Sequence, residues 1–255
     1  MTKTTPLSEG EKQWQQHFMR KLADLHKDKK IYTSFLDPRQ LELAEAVLKK
    51  ETGLSYIIYG GYPEAERNIL YIFPAEHQPA LPALKAVQVN WSGDKSDLGH
   101  RDLLGAVLAL GLQRDQVGDI VFTEENAAVI IVADDKAEYI SSNLDQVGRL
   151  PVHCMVIDPG QLAPAKDDGK DVKGTVASLR VDAVLSLGFG ISRARVVRLV
   201  KGGVVRVNWR PINSPSIQLT EGDQVSLKGR GRLIITSVGD ETRKGRIHLK
   251  LKKYS

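Results

Sequence analysis

The stretch 178-SLRVDAVLSLGFGISRARVVRLVKGGVVRVNW-209 decides how this chain is read. Between Ser192 and Lys201 it carries Arg193, Arg195, Arg198 and Lys201 and no acid at all. A helix selected only for solubility mixes signs and gains opposite-charge pairs four residues apart; this one forgoes them. Ser192 stands where an N-cap belongs and Gly202 where the helix should end. Three-residue steps put Arg195, Arg198 and Lys201 on one stripe, with Ala194, Val197 and Val200 expected on the apolar side. Arg193 falls in the first turn, where unpaired backbone N–H groups also favour an anion. Beyond Gly202 and Gly203 the strand VVRVNW adds Arg206, and Arg210 follows. Helix, turn and strand are therefore expected to converge their cations on a polyanion.

The rest of the chain supports that reading through its charge. The 255 residues carry a net charge of +5, but unevenly. Residues 1–170 hold 19 Lys and Arg against 25 Asp and Glu, a balance of −6, whereas residues 171–255 hold 17 against 6, a balance of +11. A basic tail third on an acidic body is the charge footprint of a polyanion-binding module. Ten of those 17 cations are Arg, whose planar fork fits phosphate. Composition is otherwise that of a soluble globular protein, with room for two or three domains. The longest apolar run, Leu103 to Leu112, is too short to span a bilayer, and the polar N-terminus is no secretory signal. A single cysteine, Cys154, points to the reducing cytoplasm, with no membrane partner.

An α+β organisation follows from the patterning. Ser8 and Glu11 have capping-box spacing, and Trp14, Phe18, Leu22 and Leu25 recur on one helical face. FLDPRQLELAEAVLKKETG reads as a second helix, capped by Asp37, with Pro38 in its first turn and Gly53 at its end. A hairpin, LSYIIYGG and NILYIFP, completes an N-terminal α+β unit over residues 1–77. Residues 78–158 then alternate β-α-β-β-α-β, the ferredoxin-like order that RNA-recognition domains share with unrelated proteins. Its third strand, Ala127 to Ala133, lacks the aromatics on which bases stack, so sheet-face RNA binding is not expected there. Residues 159–174, rich in Pro, Gly and charge, read as a linker. Residues 175–255 contain two short helices and then strands, ending in RIHLKLKK, where Ile247, Leu249 and Leu251 alternate with Arg246, His248, Lys250 and Lys252.

Catalytic patterns are weak. HRD at His100–Asp102 has no glycine-rich nucleotide loop or metal-binding companion; at a helix start, His100 and Arg101 read as surface side chains or secondary phosphate contacts. The histidines show no metal-ligand spacing, and His153 and Cys154, neighbours on a strand, point to opposite faces. No catalytic residue, metal or cofactor is expected.

The decisive stretch resembles the S-four RNA-binding domain, named after a small-subunit ribosomal protein. The matching positions are Arg180 and Asp182, Ser192 and Arg193, Lys201 and Gly203, Val207 and Asn208, then Gly222 and Asp223, with Val181 in place of the usual Leu. FLDPRQ at 35–40, GGYPEAERNILYIFP at 60–74, Gly99–Leu108 and the closing KGRGRLIITSVGDETRKGRIHLKLKKY extend the likeness to the YlmH family over essentially the whole chain. That family carries an aromatic where Arg230 stands, which implies a charged contact in place of stacking. The resemblance implies a non-catalytic protein that binds rRNA, with tRNA as a further partner, on the large ribosomal subunit and serves rescue of stalled nascent chains. The expected RNA-binding set is Arg180, Ser192, Arg193, Arg195, Arg198, Lys201, Arg206, Asn208, Arg210, Lys228, Arg230 and Arg232. Within it, Arg180 and Asp182 are expected to position the first helix, with Arg180 reaching RNA as the alternative, and Asn208 either shapes the strand end or reads a base edge. The rival readings are an RNA-modifying enzyme with a site near His100–Asp102, and a cell-division interaction factor whose acidic body docks a protein.

Overall fold

Helix α1 (Glu9–Ala23) starts on the expected capping box: the Ser8 amide donates to the Glu11 carboxylate at 2.7 Å, and the Glu11 amide donates to Ser8 Oγ at 3.3 Å. The structure, a computed structural model, describes residues 7–23, 30–76, 80, 83–92, 98–124, 126–162 and 169–254, so Leu25 lies outside the described residues. Strand β1 (Ile31–Tyr32) precedes α2 (Pro38–Leu48), where Asp37 accepts from the Gln40 amide at 2.8 Å and Gln40 returns the bond at 3.0 Å. The helix stops at Lys49 rather than at Gly53, which instead turns the chain into β2 (Leu54–Tyr59). With β3 (Ile69–Pro74), the sheet order is β1-β3-β2. Phe18 and Leu22 of α1 pack with Ala44, Val47 and Leu48 of α2 over Leu70 and Ile72 of β3, as their spacing requires.

The second layer of this unit is β4 (Leu84–Trp91), α3 (His100–Ala109), β5 (Val117–Glu124), β6 (Ala127–Ala133), α4 (Asp134–Asn143), β7 (Gln146–Val147) and β8 (Leu150–Ile157). Its antiparallel sheet runs β5-β6-β4-β8-β7, the ferredoxin-like order with one short added strand. Strand alternation sends Val87, Val89, Ile130 and Val132 toward Leu103, Val107, Ala137 and Ile140 of the two helices. It sends Ala86, Val129 and Ile131 the other way, against Phe35 and Ile69 of the N-terminal layer. The sheet face that an RNA-recognition domain leaves open to bases is thus filled along β6.

The GGYPEAER turn holds these layers together. Asp119 of β5 accepts from Tyr62 Oη at 2.7 Å and from the Glu66 and Arg67 amides at 2.7 and 3.1 Å. Arg67 donates onward to the carbonyls of Phe35 and Val117 at 2.8 and 3.1 Å. Burial raises the Asp119 carboxyl above its ordinary value despite these donors, and burial beside Arg67 pushes Arg114 down to about 10. Gly60 is required in this turn because a Cβ there would lie 2.3 Å from that of Ala65.

The chain divides into two compact units, residues 1–166 and 167–255. The second consists of β9 (Lys170–Val176), α5 (Val181–Phe189), α6 (Arg193–Lys201), β10 (Val205–Val207), β11 (Arg210–Pro211), β12 (Gln224–Leu227), β13 (Gly231–Glu241) and β14 (Ile247–Tyr254). Its sheet order is β11-β10-β12-β13-β14-β9. This corrects the linker over 159–174: Lys170–Gly174 is strand, paired along β14 from Lys170↔Lys253 to Gly174↔Leu249, and a short 3-10 turn occupies Pro159–Gln161. Helices α5 and α6 bury Val181, Val184, Leu185, Val196 and Val200 against Val205, Leu233, Ile235, Leu249 and Leu251 on one sheet face. No helix among the described residues is long and apolar enough to cross a membrane.

Replacement of Ile131 by Ala opens a void between the two layers of the first unit. It should cost about 3 kcal/mol, read as a lowered midpoint in denaturant unfolding with an unchanged slope.

Candidate nucleic-acid interface

Helix α6 begins at Ser192, whose Oγ accepts from the Arg195 amide at 3.3 Å, and passes through Gly202 to Gly203, the residue with positive φ (+69°). Arg195, Arg198 and Lys201 are exposed, and no acid among the described residues pairs with them. The apolar side differs from expectation. Val196 and Val200 are buried, while Ala194 is exposed and Val197 half-buried. The four-residue step from 196 to 200 keeps one face at 100° per residue, and partly buried Leu199 widens it. Ala194 is thereby carried round to the solvent side.

Arg193 is not free in the way its three neighbours are. Its Nη2 donates to Asp182 Oδ2 at 2.7 Å, while Arg180 grips the same carboxylate at 3.1 Å through both Nε and Nη2. Asp182 is 4% exposed at the start of α5, so one buried acid ties the entrances of the two helices together. Burial raises this carboxyl, yet the hydrogen bonds from Arg180 and Arg193 outweigh it and leave the group below its ordinary value. Arg180 and Arg193 thus both hold Asp182 at the helix entrances, and the Arg193 side chain is still half exposed.

Asn208 and Trp209 both have positive φ, +47° and +62°, and close a two-residue hairpin between Val207 and Arg210. The Asn208 amide makes two bonds: Nδ2 donates to Asp223 at 2.8 Å, and Oδ1 accepts from the Gln224 amide at 2.9 Å. These bonds tie Asn208 into the strand end, one of the two roles read for it, and leave its second Nδ2–H free. A Trp in the left-handed region, where glycine is the usual residue, had no counterpart in the sequence reading.

The remaining cations divide. The Lys228 amide donates to the Val204 carbonyl at 3.0 Å, so the exposed hairpin tip bearing Lys228 and Arg230 lies beside the exit from α6. Arg206 and Arg232 do not join them. Val205 and Val207 face the helices, which turns Arg206 to the opposite sheet face. Arg206 lies in register with Ser226 and Arg232 there, and Arg232 stacks 5.0 Å over Tyr254. The expected single convergence of helix, turn and strand is therefore two groups on opposite sides of the sheet, with Arg210 paired to Val207 at the sheet margin.

In the first unit, Asp102 spends its carboxylate on the Gly99 amide at 2.8 Å, as a helix-start acid does; Arg101 is exposed and His100 half-buried. Cys154 is buried, donates to the Leu144 carbonyl at 3.3 Å, and burial pushes its thiol up to about 11, away from nucleophilic character. Among the described residues no cluster of His, Cys, Asp and Glu is arranged to hold a metal ion.

A small sheet bearing a capped basic helix, following a ferredoxin-like body in sequence, defines the class as an S4-type binding domain on an α+β protein. Residues 179–225 match the S4 domain, residues 83–159 match the "Putative RNA-binding domain in YlmH", and residues 20–77 match the N-terminal domain of YlmH. Ribosome-associated protein quality control protein P2 of Bacillus subtilis is 37% identical over 215 residues, covering 83% of this chain and 82% of that protein. A solved structure, cell division protein ylmH from Streptococcus pneumoniae, shares the fold at 20% identity with a TM-score of 0.53, over 61% of this chain and 95% of that one. The chain belongs to the YlmH family.

Asp182→Asn tests the anchor. A depressed carboxyl contributes stability above its unfolded pKa of about 3.9, and that contribution is lost as pH falls through the folded value. The variant should be about 1–2 kcal/mol less stable at neutral pH. Its difference from wild type should close below about pH 4 in pH-dependent melting.

Proposed function

We propose that the chain is a cytoplasmic, non-catalytic RNA-binding protein that engages rRNA, and tRNA beside it, on the large ribosomal subunit during rescue of stalled nascent chains. One observation carries the reading: α6 presents Arg195, Arg198 and Lys201 outward with no described acid partner, on a fold unit held rigid from within by Asp182. Unpaired cations on a fixed helix lower the cost of meeting a phosphate backbone, because little side-chain support has to form on binding. The S4 match over the same residues and the name of the Bacillus subtilis relative support ribosomal RNA as the ligand. The carboxylate of Asp102 capping its own helix, and the buried Cys154 thiol, favour binding over chemistry in the first unit.

Arg195→Glu with Arg198→Glu should lower affinity for large ribosomal subunits by at least about a hundredfold near 0.1 M salt, since two cations are lost and two repulsive charges gained. Melting should shift by no more than about 0.5 kcal/mol, as for exposed positions. Val200→Asp puts a charge into the core and should unfold the domain. Sedimentation of the double glutamate variant with subunits at wild-type affinity would refute the assignment.

A further inference from the structure

The C-terminal sheet has a second face, and neither described helix of the unit packs on it. The core takes Val172, Val176, Leu249, Leu251, Leu233 and Ile235 toward α5 and α6. Alternation then turns Lys173, His248 and Lys250 to the other side. There they line a depression of about 400 Å³ with Thr175, Ser237 and Gly239. No acid is among its lining residues, and the acid that shares the face, Asp171, stands one pair further along, opposite Lys252. Gly239 leaves the floor open, because a Cβ there would press to 3.2 Å on that of His248. A further cation, Arg246, is fixed at one end by bonds to Thr175 Oγ1 at 2.9 Å and to the Thr175 carbonyl at 2.5 Å.

Two features separate this face from an ordinary solvated strand. Lys250 and Lys173 are direct cross-strand partners, and like charges directly opposite one another destabilise a sheet. Lysine does protect edge strands from pairing with other chains. That need explains Lys173 on the edge strand β9, but not His248 and Lys250 on β14, which lies between β13 and β9. The depression offers cations and hydroxyls. Its one apolar lining residue, Leu249, is 2% exposed and no Phe, Tyr or Trp lines it, so the aromatic anchor that protein partners favour is missing.

We propose that the open face of the C-terminal sheet, centred on Lys173, His248 and Lys250, is a second phosphate-binding surface that grips an RNA backbone on the side of the domain away from α6. It lies outside the S4 match, which ends at residue 225. It rests on the RNA-binding reading given above. Arg206 and Arg232, left without a place beside α6, share this face and extend it across β10, β12 and β13.

The full-length chain carrying Lys173→Gln and Lys250→Gln is compared with wild type and with the α6 double glutamate variant, using bacterial large ribosomal subunits as one probe and polyglutamate as another. The lysine variant should bind subunits about tenfold or more weakly near 0.1 M salt and lose about 2 from the slope of log affinity against log salt. It should melt no lower than wild type, because a like-charge pair has been relieved. A photo-crosslinker at Ser237 in the otherwise unaltered chain should form an adduct with RNA. Wild-type subunit binding by the lysine variant, with loss only in the α6 variant, overturns this surface and leaves the α6 reading standing. Loss of polyglutamate binding alone assigns the face to an acidic protein and overturns the proposal. Failure of wild-type protein to bind subunits removes the RNA reading itself.

Discussion

One buried carboxylate organises the basic unit. Asp182 is the acid that α6 lacks in its own sequence, supplied from the start of α5 and shared between Arg180 and Arg193. A carboxylate this buried is tolerable only because its charge is met by two guanidinium groups. Their geometry sets where α6 begins relative to α5. Once that entrance is fixed, burial of Val196 and Val200 fixes the rotation of α6, and Arg195, Arg198 and Lys201 have nowhere to point but outward. Salt should weaken the outward charges far more than the inner cluster, since screening acts chiefly on exposed groups. Binding and folding of this unit therefore respond to ionic strength on different scales.

The first unit shows how a shared topology can carry a different surface. Its five-stranded sheet has the strand order of RNA-recognition domains, but Phe35 and Ile69 occupy the face along β6 where those domains receive bases. What is left of that face, around Gln88, Asn90, His153 and Met155, presents no Phe, Tyr or Trp, and the His153 imidazole is its one ring. The conspicuous GGYPEAER segment is spent on the seam between layers, through Asp119 and Arg67.

Much of this was legible in the sequence where the signal is local. The caps at Ser8, Asp37 and Ser192, the β-α-β-β-α-β order and the alternation of β14 each depend on residues a few positions apart, and each appears in the structure. The failures have a common cause in long-range packing. Strand β9 reads as linker because Lys170, Asp171, Lys173 and Gly174 are turn-like in composition. Only pairing with residues more than seventy positions later, and burial of Val176, make them strand. The apolar side of α6 was misread because Ala194 and Val197 form as regular a stripe as Val196 and Val200, and only the facing core distinguishes them. Arg206 was grouped with α6 by proximity in sequence, while strand alternation turned it to the other face. The trough on the second face needs both β9 and β14, so a reading that lost β9 could not find it.

The position of β14 has a consequence for biosynthesis. It follows every other described strand in sequence, yet it is hydrogen-bonded on both sides, to β13 and to β9. During translation the first unit can collapse as soon as it emerges, because its sheet draws only on residues within it. Strand β9, by contrast, is made early and has no partner until residues 247–254 arrive, so it must wait as an unpaired edge. The basic unit consequently completes its sheet only after the first unit has been made. The sheet on which the basic helix rests is thus complete only once residues 247–254 have been made.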